Sequence, residues 1–435
     1  MAGTIKQVLP RRLLLWLLTA LCSAPAAATT DLVLQLETSL SRDSNPLRFY
    51  TDQLDAAQNA LARPAATVAA ADLRLAAIVP LLSDQTRLIL SATLGERHYN
   101  AYRQLDHQPH AGDAAFEWVA SKLLSGRVSV GAAERLFPYL NGSLTDKDLE
   151  HEQHVDASLN LHISDDWLLA TKWYRSSLSY DLNVNRLYDF RESGEQLGLR
   201  YLTGTGSSIE AGNRWARTDY PDRNAQQIND LDRQYHENEL FLDGEWRYSV
   251  KTNSSVHLGT IRRAYQSLNE RNTHLFNAIW RGTYLYSPKL RLDVQLFDRP
   301  FSIVDPSVLY VQSKGARFDA LWKTSEKLQF NLSALRQNST QTLIPRLATA
   351  ANSGALSENL QRLGLGASYQ FERGFRLLLD GFHEKTSGDA ANLNLSQNIV
   401  KVGFEYTFEN QSGAAGRAGI NRYQRGLSAP EALRP

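Results

Sequence analysis

The sequence predicts an all-β protein, a transmembrane antiparallel β-barrel of about 18 strands with short periplasmic turns and long outer loops. Three observations lead to this prediction. Apolar and polar residues alternate along segments that recur from one end of the chain to the other. Short and long polar connections between these segments alternate strictly. After Leu21 the longest mostly apolar stretch is 75–82, too short for a membrane helix, so a membrane location requires a closed barrel.

Residues 1–28 have the pattern of a secretory signal peptide. Three basic residues precede the apolar run 13–21, which is too short to span a bilayer, and small residues lead to a cleavage site after Ala28. The alternative is a short membrane anchor. A lipid anchor on Cys22 is rejected because Leu21 stands where a small residue should precede the cysteine. We therefore expect export of the chain and removal of this segment.

The composition after Ala28 excludes several classes of protein. This part of the chain contains no cysteine, so it must be stabilised by a core or by a closed ladder of hydrogen bonds. Of the 47 basic residues, three belong to the signal segment, and the remainder nearly balances 46 acidic residues. That balance gives no reason to expect nucleic acid as a partner. The length would suit two or three soluble domains, but no linker or shift of composition divides the chain.

The alternation predicts strands with one lipid-facing and one water-facing side. The clearest segments are 155–163, 196–201, 239–248, 290–296 and 400–408. In 290–296, leucine and valine share one face, while Arg291, Asp293 and Gln295 share the other. A two-sheet sandwich or a β-solenoid also alternates. The barrel is favoured because many segments are longer than ordinary sandwich strands.

The connections predict which end of the barrel is which. Short turns are expected near 83–84, 124–126, 164–166, 204–206, 251–253, 287–289, 325–327 and 372–374. Longer loops are expected near 42–66, 99–107, 138–150, 180–193, 218–235, 265–272, 299–307, 338–358 and 385–397. This pattern joins an even number of strands and leaves both termini at the short-turn end, as in bacterial barrels.

Aromatic residues cluster beside the short turns and predict a girdle at the periplasmic interface. Its candidates are Trp167, Tyr201, Trp246, Tyr248, Tyr284, Tyr286, Trp322, Phe371, Phe375 and Phe408. The alternative is the ordinary enrichment of aromatic residues in strands. Repetition at the same end of the segments favours the girdle.

Two segments interrupt the alternation. Residues 52–63 read as a short helix that Asp52 caps and Pro64 ends, and they fall in the first outer loop. This helix could cap or enter the lumen, and an Ω-like surface loop is the equal alternative. After Phe408 the Gly-, Ala- and Arg-containing segment 409–435 predicts a flexible periplasmic tail. The barrel itself is therefore expected over 29–408.

The polar faces of the alternating segments supply the candidate functional residues, which we expect to line a lumen. They are Glu210, Arg214, Glu239, Asp243, Glu245, Arg247, Arg291, Asp293, Gln295, Lys401 and Glu405. Mixed charges can offer weak, replaceable hydrogen bonds to a passing solute. Alternatively, the charges pair with each other and only solvate and stiffen the wall. Tyr220, Tyr235 and Tyr265 are candidates either for stacking on sugars or for membrane-interface positions.

The sequence contains no pattern that predicts catalysis. His151-Glu152-Gln153-His154 lacks the H-E-x-x-H spacing of a metalloprotease, and the chain has neither a G-x-S-x-G elbow nor a phosphate-binding glycine loop. Ser158 and His162 share one face, but both belong to the same segment. We expect no enzyme activity, no cofactor and no metal.

Four segments carry a family resemblance: 41–49, 191–223 with its Asp-Tyr-Pro-Asp-Arg corner, 235–272, and the closing segment 400–408. In these the chain resembles EpsL-type outer-membrane proteins, which are encoded with exopolysaccharide biosynthesis operons and grouped with β-barrel porins. Two features depart from that family. Residues 42–46 stand where the family has aromatic and acidic residues, and a tail follows Phe408, where barrels usually end.

The resemblance implies a role in exopolysaccharide export or biosynthesis at the bacterial outer membrane. Its implied partners are outer-membrane lipid, the secreted polysaccharide, and periplasmic or inner-membrane components of polysaccharide polymerisation and export. About 18 strands leave an aqueous lumen, which suits a passive hydrated conduit for the polymer. Two alternatives stay open, a general diffusion porin and a non-conducting scaffold barrel plugged by the first outer loop.

Overall fold

The computed structural model describes residues 30–48, 65–83, 85–137, 147–301, 308–343, 356–388 and 394–411, together with Ala414. The predicted signal peptide 1–28 and the predicted helix 52–63 lie outside these residues, as does most of the predicted tail 409–435. Nothing about those three predictions is therefore tested by the described part of the chain.

Eighteen antiparallel strands form one sheet. In chain order they are β1 Asp31–Asp43, β2 Ala66–Ser83, β3 Thr86–Tyr99, β4 His110–Val119, β5 Leu124–Leu136, β6 Leu149–His162, β7 Trp167–Tyr180, β8 Phe190–Leu202, β9 Ser208–Asp219, β10 Gln234–Ser249, β11 Thr252–Tyr265, β12 Thr273–Ser287, β13 Leu290–Phe301, β14 Val308–Lys323, β15 Leu328–Leu343, β16 Leu356–Glu372, β17 Phe375–Gly388 and β18 Leu395–Glu409. Each strand pairs with its neighbours in sequence.

The sheet closes on itself, because β1 also pairs with β18 in a continuous register from Val33↔Glu409 to Asp43↔Ile399. A closed sheet leaves no strand edge unpaired, which is what a backbone inside a membrane requires. The predicted transmembrane antiparallel β-barrel of 18 strands is confirmed. Strand β18 ends at Glu409, one residue beyond the expected end of the barrel.

The connections alternate in length around the barrel, as the sequence predicts, but the turn expected near 124–126 was misplaced. It lies at 120–123, because residues 124–126 already pair with β4 and β6 as the start of β5. Only residues 250–251 separate β10 from β11, whereas 220–233 separate β9 from β10. The latter loop contains a short helix, α1 (Ala225–Leu231), which begins at a capping box between Asn224 and Gln227. No helix in the described part of the chain is both long and apolar enough to cross a bilayer.

Each strand presents two chemically different faces because successive side chains point to opposite sides. On β10, Leu240 and Trp246 are 61% and 64% exposed, while Glu237 and Glu239 are buried. Contacts that skip a strand identify the polar face as the concave one. For example, Nη1 of Arg214 on β9 reaches past β8 to the hydroxyl of Tyr174 on β7, at 2.8 Å. The apolar face therefore points outward.

The inner wall is compact where glycines adjoin large rings. Phe241 on β10 is buried, and its ring lies against Gly212 on the paired strand β9. A Cβ at Gly212 would lie 2.6 Å from that ring, which leaves no room for a side chain. The interior is thus lined by occasional rings and many polar groups rather than by a continuous apolar core.

Candidate functional site: the lumen wall

The eleven candidate residues of the sequence all lie in the inward-pointing register of four strands. Glu210 and Arg214 belong to β9, Asp293 to β13 and Lys401 to β18, and the others follow the same alternation. Glu239 and Glu405 are almost fully buried, whereas Arg247 is exposed near the short-turn end. Whether these side chains line an open channel stays a prediction.

Arg214 is the centre of a charge cluster on this wall. Its Nε donates to Glu239 at 2.7 Å, and its Nη2 contacts Glu237 at 3.0 Å. Its third nitrogen, Nη1, donates to Tyr174. The planar guanidinium can satisfy three acceptors at once because its donors point in fixed, divergent directions. Arg214 therefore ties β7, β9 and β10 together on the inner face.

Glu239 is the acidic counterpart of Arg214. Besides Arg214, its carboxylate contacts Nε2 of His257 at 3.2 Å and accepts a hydrogen bond from Asn277 at 3.0 Å. The other ring nitrogen of His257 lies 2.7 Å from Asp243. One carboxylate thus connects side chains from four successive strands, β9 to β12. We call the set Arg214, Glu237, Glu239, His257 and Asp243 the lumen charge cluster.

A second group of charges crosses the seam where the barrel closes. Glu37 on β1 pairs with Arg74 on β2 at 3.1 Å and with Lys401 on β18. Next to it, Asp72 pairs with Arg97 at 2.8 Å. Because Glu37 contacts basic residues on both sides, its carboxylate links the first strand to the second and to the last.

The candidates on β13 border a concavity in the wall of about 330 Å³. Arg291 pairs with Asp293 at 2.8 Å, and Arg317 on β14 pairs with Asp319 at 2.7 Å. Gln295 also contributes to this lining. The four side chains are between 30% and 38% exposed, so these charges remain accessible from the barrel interior.

The first outer loop begins inside the barrel. Asn45 and Leu47 are each 1% exposed, and Arg48 adopts a positive φ of 54°. The Arg48 guanidinium lies 2.5 Å from Glu384 and 3.1 Å from Gln397, both on the inward face of β17 and β18. Glu384 also pairs with Arg362 on β16. The base of this loop therefore narrows the lumen on that side.

The three candidate tyrosines are buried rather than exposed. They pack against one another at the long-loop end of the barrel wall, and only 7% of Tyr220, 5% of Tyr235 and 8% of Tyr265 is exposed. The guanidinium of Arg223 lies 3.5 Å from the ring centre of Tyr220, and that of Arg263 lies 4.6 Å from Tyr235. Neither sugar stacking nor a membrane-interface position fits this burial, so both expectations were wrong.

Burial also alters the acid–base properties of the loop members of this cluster. It raises the pKa of the Tyr220 phenol, so that group stays neutral. Burial lowers the pKa of the Arg223 guanidinium, although an arginine remains protonated in any ordinary buffer. The cluster is thus a rigid packing unit of neutral rings and fixed positive charges.

The ten girdle candidates all lie on the outward face beside short turns and are all exposed, from Tyr201 at 37% to Tyr248 at 76%. Three pairs of these candidates are in ring contact. The ring centres are 5.0 Å apart for Trp167 and Tyr201, 6.3 Å for Tyr284 and Tyr286, and 5.9 Å for Phe371 and Phe375. Their contact with a membrane interface stays a prediction.

Several charged residues of the wall were not among the sequence candidates. Glu237 and His257 have the same alternation that identified Glu239, so this alternation also predicts an inward position for them. Arg48 carries no such signal because it lies in a loop. In the histidine motif at 151–154, His151 contacts Glu134 and Asp181, and the described residues contain no group of three or more side chains suited to a metal ion.

No protein family model matches the chain, and no curated protein matches it. Among solved structures, OpdQ of Pseudomonas aeruginosa is similar over 88% of this chain and 100% of its own, with 12% identity and a TM-score of 0.48. OccAB3 of Acinetobacter baumannii covers 88% and 100%, with 11% identity and a TM-score of 0.46. The alcaligin outer membrane receptor FauA of Bordetella pertussis covers 86% and 76%, with 11% identity and a TM-score of 0.40. Such distant likenesses transfer no function.

Proposed function

We propose that this protein is a passive channel of the bacterial outer membrane, a general diffusion porin for hydrated solutes. The observation that carries the proposal is the charged inner wall, above all the lumen charge cluster around Arg214 and Glu239. An 18-stranded barrel is wide enough to enclose water. Closed barrels with short turns at one end and long loops at the other are characteristic of the outer membrane.

The wall chemistry suits transport without tight binding. Each guanidinium and carboxylate of the cluster already has partners, so a passing solute exchanges one hydrogen bond for another of similar strength. The partnered charges also keep their positions, because Arg214 is held by three acceptors. Selectivity would then follow from the local balance of charge and from the narrowing at Arg48.

Planar-bilayer recording tests this proposal directly. Purified protein is expected to insert with stepwise, ohmic conductance. Glu239→Gln removes a negative charge from the wall and should shift the reversal potential in a salt gradient towards anion permeability. Arg214→Gln should shift it in the opposite direction.

Glu195→Gln is the matched control, since Glu195 lies on the outward face of β8 and its loss should leave the reversal potential unchanged. A protein that inserts but never conducts would reject the channel. Equal shifts for Glu195→Gln and Glu239→Gln would reject the role of the wall.

A role in exopolysaccharide export is the second candidate, supported by the family resemblance of 191–223 and 235–272. In this proposal the same lumen would act as a passive conduit for a hydrated polymer, with periplasmic and inner-membrane machinery supplying the energy. Deleting the gene and weighing the secreted polymer separates this role from general diffusion. A normal yield of polymer would reject it.

A non-conducting scaffold is the third candidate, and the inward course of residues 44–48 favours it. Comparing the conductance of the full chain with that of a chain lacking residues 52–63 tests it. A scaffold plugged by the first outer loop would conduct only after the deletion. Equal conductance before and after would reject the plug.

A further inference from the structure

A band of basic side chains lies on the outward face of six consecutive strands, near the long-loop end. Its members, called here the cationic band, are Arg175, Arg191, Arg217, His236, Arg262 and His274. All six are exposed. None belongs to the lumen, so the proposed channel makes no use of them.

The strand register places these side chains next to one another. Arg175 pairs with Ser193, which pairs with Arg217, which pairs with His236. His236 pairs with Ala264, and two residues nearer the short turns Arg262 pairs with His274. Adjacent strands are about 4.8 Å apart, so neighbouring members of the band can reach one small anionic group together.

Directly below the band the same strands expose large apolar side chains. Trp173 and Trp215 lie two residues from Arg175 and Arg217 and are 42% and 43% exposed. Further along, Leu240 and Phe276 are 61% and 51% exposed. Apolar residues of this kind meet hydrocarbon in a membrane barrel. The cationic band therefore lies where hydrocarbon gives way to lipid headgroups.

The positive charge of this band is largely uncompensated. In the described part of the chain, no carboxylate pairs with Arg175, Arg191 or Arg262. Arg217 pairs with Asp219 on its own strand at 3.1 Å, and the register places this one carboxylate opposite Arg191 as well. Glu195 is the other acidic residue on this outward surface.

Elsewhere on the same rim, two basic side chains are neutralised by acidic neighbours. On β6, His151 lies between Glu134 and Asp181, at 3.2 and 2.9 Å. On β14, Lys314 pairs with Asp298 at 3.2 Å. Single basic side chains without an acidic partner among the described residues also lie outward on other strands, namely Arg42, Arg336 and Lys385. Only β7 to β12 carry such side chains on six consecutive strands, where an external anion would supply the missing partner.

We propose that the cationic band binds the phosphate groups of a phosphorylated glycolipid in the outer leaflet of the membrane. Such a lipid satisfies both parts of the surface, since its acyl chains cover the apolar rows and its phosphates meet the guanidinium groups. Arginine forms paired hydrogen bonds to phosphate oxygens, which favours arginine over lysine at such a site. The inference rests on the outer-membrane location proposed above, but it does not depend on conduction.

Native mass spectrometry of the full-length barrel in detergent tests this proposal, with bisphosphorylated lipid A and its dephosphorylated form as probes. The wild-type protein should retain the phosphorylated lipid preferentially. The triple variant Arg175→Gln, Arg217→Gln, Arg262→Gln should bind it about a hundredfold more weakly, because each basic residue near an anionic lipid surface contributes roughly a fivefold factor. Binding of the dephosphorylated lipid should not change.

The matched control removes three exposed lysines at the short turns, Lys251→Gln, Lys289→Gln and Lys327→Gln. Equal binding of both lipids by the wild type would overturn the proposal, as would an equal loss of binding in the lysine control. The sheet signal in circular dichroism shows that each variant folds. Both triple variants should conduct like the wild type, so a failed channel and a failed lipid site give different results.

Discussion

At the level of single residues, the inner wall contains both buried and water-exposed charged side chains. Glu384 has no exposed surface and lies between Arg48 and Arg362. Glu245 pairs with Arg247 at 3.0 Å, but the two side chains are 40% and 58% exposed. A buried carboxylate compensates charges that water cannot reach, whereas an exposed one is already solvated. The two residues should therefore differ greatly in their effect on folding.

Replacing Glu384 by glutamine should destabilise the barrel, because it leaves two guanidinium groups without their shared negative partner. The expected loss in free energy of unfolding is about 3 kcal/mol, typical of a broken buried ion pair. Urea unfolding in phospholipid vesicles, followed by tryptophan fluorescence, measures it. Glu245→Gln is the control and should cost less than about 1 kcal/mol. Similar losses for both variants would contradict the burial of Glu384.

At the level of strands and turns, the barrel depends on the backbone geometry of its short turns and on the side chains that face outward from each strand. Gly374, in the turn between β16 and β17, has a φ of +86°, and a Cβ there would lie 2.6 Å from the carbonyl oxygen of Thr407. Gly204, in the turn after β8, has no neighbouring atom within 4 Å of such a Cβ. A side chain is therefore excluded at Gly374 by backbone conformation and close packing, whereas space is open at Gly204.

Gly374→Ala should cost about 1 to 3 kcal/mol of unfolding free energy, because an alanine in left-handed backbone is strained. The same vesicle-based unfolding measurement applies. Gly204→Ala should have little effect, since its Cβ would enter open space. If the two substitutions cost the same, the strain at the Gly374 turn would be refuted.

The outward row of β16 tests contact with lipid. Leu365 is 60% exposed and lies in the middle of that row, while Gln361 lies nearer the long loops. Leu365→Arg should cost about 2 to 4 kcal/mol at the bilayer midplane, and Gln361→Arg only about 0 to 1 near the interface. Unfolding from vesicles in both variants gives the comparison. A larger cost for Gln361→Arg would mean that the membrane lies elsewhere on the barrel.

For the whole molecule, function depends on which face of the barrel wall meets water and which meets lipid. Gln295 and Leu296 are consecutive on β13, so their side chains point to opposite sides of the wall. The only native cysteine is Cys22, within the predicted signal peptide. A single introduced cysteine can therefore report its surroundings without interference once that peptide is removed.

In protein embedded in lipid vesicles, Gln295→Cys should react readily with a water-soluble maleimide, because the reagent can reach it through the lumen. Leu296→Cys should react much more slowly, since lipid excludes both the reagent and the water that stabilises a thiolate. Mass spectrometry of the labelled protein gives the two rates. After unfolding in denaturant both should react equally. A faster reaction at Leu296→Cys in vesicles would mean that Leu296, and not Gln295, faces the lumen.

Much of this architecture could be predicted from the sequence because strand alternation is local. Leu290, Leu292 and Val294 identify their common face without any knowledge of neighbouring strands. The same holds for the alternation of short and long connections. The tyrosines of the outer end were misjudged, since Tyr235 and Tyr265 are buried by Tyr220 and Phe190, which approach from other strands and loops.

The number of strands, their two faces and the end that carries the short turns could be read from the order of residues, because a two-residue period and turn chemistry are properties of adjacent residues. Which charged side chains contact each other follows from the folded barrel. Arg214 reaches Tyr174 across a strand, and Arg48 enters the barrel to meet Glu384. Those contacts depend on the stagger and curvature of the closed sheet and on the course of a loop, which no local pattern encodes.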